Sequence, residues 1–112
     1  MGINDIPDDN TGQAIKRWAG EGSDLAKPMK IDFLVDVADD VMGARVLSDP
    51  VLADFNVSVE RDDETGRWTC YCTKTMVPDY RAIVGIEAVL TAVAKRHGAG
   101  YEGFGSFGNA VP

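Results

Sequence analysis

His97, Cys70 and Cys72 are the chain's only imidazole and thiols. Together they make three soft ligands, whereas a structural zinc site normally has four and draws two of them from a CxxC knuckle. Cys70-Tyr71-Cys72 has one residue between its thiols and no fourth ligand, so no metal is expected. A histidine can also act as a general base, which requires a nucleophile or an acid in reach, and no nucleophile signature accompanies His97. At the end of a helical stretch its ordinary role is to interact with the negative end of the helix dipole. Carboxylates cluster at Asp39-Asp40 and at Asp62-Asp63-Glu64, types suited to acid–base or metal chemistry. The first pair stands where a helix begins and the second in a polar turn, which accounts for both. Gly98, Gly100, Gly103, Gly105 and Gly108 neither open a helix nor precede a lysine, so they do not make a phosphate-binding loop. Interleaved with Tyr101, Phe104 and Phe107, they read as a bulged or closely packed strand. These residues predict no catalytic group, no metal and no cofactor, and hence a protein that is not an enzyme.

The elements that must position them follow from periodicity. Pro7 to Gly12 is turn-prone, and between Gln13 and Gly20 the residues Ile15, Trp18 and Ala19 fall at the spacing of a short amphipathic helix. Asn10 or Thr11 can cap it, and Gly20 and Gly22 can end it. After a connector from Ser23 to Pro28, Met29 to Val37 alternates as a half-buried strand, with the odd positions inward and Leu34 on the other face. A helix from Asp39 or Asp40 to about Leu47 turns Val41, Ala44 and Leu47 inward and stops at Ser48-Asp49-Pro50, with Gly43 awkwardly inside it. Asp54 to Glu60 and Arg67 to Met76 read as a hairpin, Phe55, Val57 and Val59 sharing a face. Pro78-Asp79 opens the strongest helix, Tyr80 to His97, striped by Ile83, Ile86, Leu90, Val93 and Ala94 and ended by Gly98. Tyr101 to Phe107 is a fourth strand.

The order is βαββαβ behind a short N-terminal helix: an α+β, ferredoxin-like arrangement in which a four-stranded antiparallel sheet carries two helices on one face. One domain is expected over 1–112, with a helical segment at 1–22 and the ferredoxin-like core at 29–108. Ile31, Phe33, Val35, Val57, Ile83, Ile86 and Leu90 are expected to meet in its core, with Trp18 and Trp68 as further anchors.

Eighteen Asp and Glu against 11 Lys and Arg leave a net charge of -7, which repels polyphosphates at long range and attracts a basic partner. The RNA-recognition fold shares the βαββαβ order, but its signature spaces aromatics with glycines on a basic surround. Arg67-Trp68-Thr69-Cys70-Tyr71-Cys72 lacks those glycines, so no direct nucleic-acid binding is expected. No apolar run approaches the roughly 18 residues of a spanning helix, which argues against a membrane partner. The opening MGINDIPDDN has neither the basic nor the apolar region of a secretory leader, so the expected compartment is the cytoplasm. There, two thiols on one face of a strand stay free.

The segment GSDLAKPMKIDFLVDVADD, then MVPDY before the long helix, then GYEGFGS near the end, resembles the RraB family, regulators of ribonuclease E activity. The resemblance covers nearly the whole chain in order and spacing. Its carriers are Gly22, Ser23 and Asp24 and the run Tyr101 to Ser106, where Glu102 stands for the family's usual Asp and Phe104 for its usual Trp. What the resemblance implies is a protein partner: an inhibitor that binds the basic scaffold region of a ribonuclease E-type enzyme and performs no chemistry. The alternative is a ferredoxin-like domain that binds a ligand or metal of unspecified kind, and a homodimer is compatible with either.

If the last strand is regularly pleated, Glu102 and Phe104 share one face, beside Leu34 and Tyr71, while Tyr101 points into the core. Leu34, Tyr71, Glu102 and Phe104 are then the candidate partner-binding residues. The competing reading lays the N-terminal helix over Phe104, with Ile15 and Trp18 sealing it, because small domains seldom leave aromatic patches bare.

Overall fold

A computed structural model describes residues 5–110. Residues 1–4 and 111–112 lie outside the described residues, and with them the first positions of the stretch read for a leader. The elements are α1 (Asn10–Gly20), β1 (Met29–Val37), α2 (Asp40–Leu47), a 3-10 turn (Pro50–Asp54), β2 (Asn56–Arg61), β3 (Trp68–Met76), α3 (Tyr80–Arg96) and β4 (Gly100–Gly105). The strands form one antiparallel sheet in the order β2-β3-β1-β4, the ferredoxin-like topology. Among the described residues no helix is long and apolar enough to cross a membrane.

Each α-helix begins on an aspartate whose carboxylate accepts a backbone N–H: Asp9 from Gly12, Asp39 from Met42 and Asp79 from Ala82. For α1 this sets the cap upstream of both Asn10 and Thr11. Asp9 also accepts the Tyr80 hydroxyl, and that bond, with the one from Gly12, holds its carboxyl below the usual range. The same contact ties the start of α1 to the start of α3.

β1 is the axis of the core. Ile31, Phe33 and Val35 are 0% exposed and lie under all three helices, among Ile15 and Trp18 of α1, Val46 of α2, and Ile83, Leu90 and Val93 of α3. The expected inward face of α2 is corrected: Val41 is 57% exposed and Ala44 is exposed, while Gly43 and Val46 are the buried pair. The cause is the closeness of α2 to β2. A Cβ built on Gly43 meets both γ-methyls of Val59 at 2.9 Å, and the Cys70 thiol donates to the Gly43 carbonyl at 3.7 Å. The glycine that weakens the helix locally lets it sit down on the sheet. Val57 is a second correction. It is 36% exposed because β2 is an edge strand and α2 covers Val59 rather than Val57. Ile86 is half-buried against the core.

Candidate functional site

The last strand does not run as a regular pleat. Its register against β1 shifts between Leu34 and Val35: Leu34 faces Gly103, Val35 faces Tyr101, and Glu102 is the extra residue of a bulge. Gly103 takes φ +137°, a value that L side chains rarely adopt. The bulge puts Tyr101 and Phe104, three residues apart, on the same helix-covered face, opposite Val35 and Phe33. The Tyr101 hydroxyl donates to Glu87 of α3 at 2.8 Å, and Thr11 of α1 donates to the other oxygen of that carboxylate at 2.7 Å. Burial and the Glu87 carboxylate push the Tyr101 phenol well above its ordinary range.

The four expected residues are therefore divided between two faces. Leu34 and Tyr71 are directly paired across β1 and β3, half-buried at the centre of the face opposite the helices. Glu102 joins them at the border, its carboxylate receiving Arg67 at 2.6 Å. Phe104 does not share their face, which corrects the expectation drawn from a regular pleat. It is half-buried on the helix side, edge-on to Trp18, as the competing reading had it.

The open face has a charge pattern that the sequence did not disclose. Its side chains come from the even positions of β1 and their neighbours: Lys30, Asp32, Leu34, Asp36, Tyr71, Glu60 and the bulged Glu102. Arg67 reaches across from the β2–β3 turn to hold Asp36 at 3.3 Å as well as Glu102. Asp32 receives the Thr73 hydroxyl at 2.5 Å, and neither it nor Glu60 has a cation within ion-pairing distance among the described residues. Beside Leu34 and Tyr71 lies a shallow hollow of about 290 Å³, floored by Gly105 and bounded by Asp32, Ser106 and the fully exposed Phe107. An apolar centre within an excess of carboxylates can bind a basic, partly apolar segment.

On the helix side, a larger hollow of about 720 Å³ runs between α2 and the end of α3. Asp49, its side chain 5% exposed, lies in its wall and accepts Arg96 at 2.6 Å, the Val51 N–H at 3.1 Å and His97 Nε2 at 3.0 Å. Arg96 first, then the Val51 N–H and His97, pull its carboxyl down to about 2. His97 thus caps α3 and also has an acid partner, one that sequence separation concealed. Ser48 borders the same hollow, but its hydroxyl donates to the Ala44 carbonyl at 2.8 Å, so the three groups do not line up as a nucleophile, base and orienting acid. Cys70 and Cys72 are free, fully buried thiols beneath the helices, and among the described residues no three His, Cys, Asp or Glu are placed to hold one metal ion.

The connector 22–24 and the end of the chain meet in space. Asn109 accepts the Asp24 N–H at 2.8 Å, donates to the carbonyls of Asp24, Lys27 and Pro28, and offers its own N–H to Ser23 Oγ. Ser106 donates to the Lys30 carbonyl at 2.6 Å. These motifs lock the entry to β1 against the exit from β4. Asn109 has no periodicity or motif to signal it in the sequence.

The sequence model of a family described as Regulator of ribonuclease activity B (RraB) matches residues 8–106. No curated protein matches the chain.

Proposed function

The chain belongs to the RraB family, regulators of ribonuclease activity, and from that premise we propose that it inhibits a ribonuclease E-type endoribonuclease by binding the enzyme's basic scaffold region, with no chemistry of its own. The observation that carries this reading is the family match, which takes in all three helices and all four strands. The net charge of -7 supports a basic protein partner over RNA. Scaffold segments that bind RNA are typically basic and disordered, and an acidic domain competes for them by charge complementarity, gaining on-rate and a salt-sensitive affinity. Regulation of this kind takes place where the ribonuclease is, in the cytoplasm.

The test compares RNA cleavage by the full-length enzyme and by its scaffold-free catalytic fragment, with and without this protein. Cleavage by the full-length enzyme falls, the fragment is unaffected, and the effect fades as salt rises, since charges are screened over about 8 Å at physiological ionic strength. Inhibition of the fragment, or tight binding to RNA itself, overturns the reading.

A further inference from the structure

Resting on that reading, we infer that the basic partner docks on the open face of the sheet as an extended segment, seating one apolar side chain in the hollow over Gly105 and basic side chains against Asp32 and Glu60.

Three observations converge on this face. One side of the sheet is covered by α1, α2 and α3, whereas the other presents the Leu34–Tyr71 pair next to a fully exposed Phe107. A bare apolar centre with a polar border is the anatomy of a binding patch. The charge of that border is unbalanced: four carboxylates stand against Lys30 and Arg67, Arg67 is already engaged by Asp36 and Glu102, and among the described residues Asp32 and Glu60 have no cation within ion-pairing distance. These two carboxylates lie at diagonally opposite corners of the pair, Asp32 two residues from Leu34 on β1 and Glu60 on β2, opposite Thr69. An extended basic segment crossing Tyr71 obliquely neutralises both.

The third observation is Gly105. Its φ is not positive, and nothing lies within 4 Å of where its Cβ would stand, so neither conformation nor packing inside this chain calls for glycine. A glycine weakens a strand, and its use is to admit close approach from outside. Here the missing side chain leaves the hollow open beside Leu34 and Tyr71. A second copy of this chain fits worse, because a two-fold contact sets the same excess of carboxylates against itself. RNA fits worse for the same electrostatic reason.

The experiment is calorimetric titration of the full chain with the isolated scaffold region of a ribonuclease E-type enzyme, with thermal melting of each variant alongside. Gly105→Val fills the hollow without strain; it keeps the wild-type melting temperature and binds about tenfold more weakly, the loss of one anchor contact. The double variant Asp32→Asn, Glu60→Gln also binds more weakly and with a flatter salt dependence, while Asp40→Asn on α2, exposed on the helix side, binds as wild type does. If wild type binds and both open-face variants match it, the docking face is wrong and the regulator reading stands. If wild type does not bind the scaffold, both fall. A wild-type dimer that Gly105→Val dissociates, or RNA binding that the same variants abolish, overturns the proposal in favour of that other occupant.

Discussion

The Phe104 ring meets Trp18 edge-on, with 5.8 Å between centroids and 68° between planes, and sits 5.9 Å from Phe33, its cross-strand partner on β1. This contact joins α1 to the sheet through the last strand. Truncation by Phe104→Ala removes an aromatic pair together with its apolar burial. Because the ring is half-buried, the cost is about 3 kcal/mol, the lower end for such truncations, measured by denaturant unfolding. Affinity of the folded variant for a partner on the opposite face is unchanged. A variant of wild-type stability with lost binding contradicts this placement.

Two helical glycines separate packing from propensity. Gly85 of α3 has open space around its Cβ position, whereas Gly43 of α2 has the Val59 methyls at 2.9 Å. Gly85→Ala therefore stabilises the protein by about 1 kcal/mol through helix propensity alone. Gly43→Ala gains the same propensity and loses more to the displaced helix, so its net effect is destabilising. Chemical denaturation of the two variants gives changes of opposite sign.

Asp49 sets an acid limit on stability. Its folded value of about 2 lies below the ordinary 3.8, so the unfolded chain takes up its proton first as pH falls. The stabilisation is complete above about pH 4 and is lost as pH drops towards about 2. Melting temperatures across this range fall for wild type. Asp49→Asn starts lower at neutral pH, because Arg96 and His97 lose their acceptor, and declines less steeply in acid.

The thiols are protected by burial, which pushes Cys70 up to about 11 and Cys72, with its neighbouring thiol adding, up to about 12. Since the thiolate is the reactive form, neither cysteine reacts with a disulfide reagent at pH 8 in the native protein, and both do after denaturation. Rapid reaction of either one in the folded state contradicts the burial.

The sequence by itself determined which elements form and in what order. Met29 to Val37 alternates apolar and polar residues so regularly that only a strand with its odd positions inward can bury them, and the odd positions of β1 are all buried. The stripe through Ile83, Leu90, Val93 and Ala94 fixed α3 in the same way, since periodicity is a local property that one buried face imposes. Leu34 and Tyr71 were legible on the open face for the same reason. The family followed from motifs in order along the chain, which also need no third dimension to be read.

Tertiary structure decided the rest. The inward face of α2 turned on how closely Gly43 could approach Val59, a contact between residues 16 apart in number. Phe104 changed sides because a bulge at Glu102 adds one residue to β4 alone, and a shift of one residue inverts the face of every side chain beyond it. The Asp49–His97 pair and the Arg67 bridge to Asp36 and Glu102 join groups far apart in sequence, whose partners are chosen by the crossing of elements. Charge composition disclosed an acidic protein; only the folded sheet decides which carboxylates are already neutralised and which have no cation beside them among the described residues.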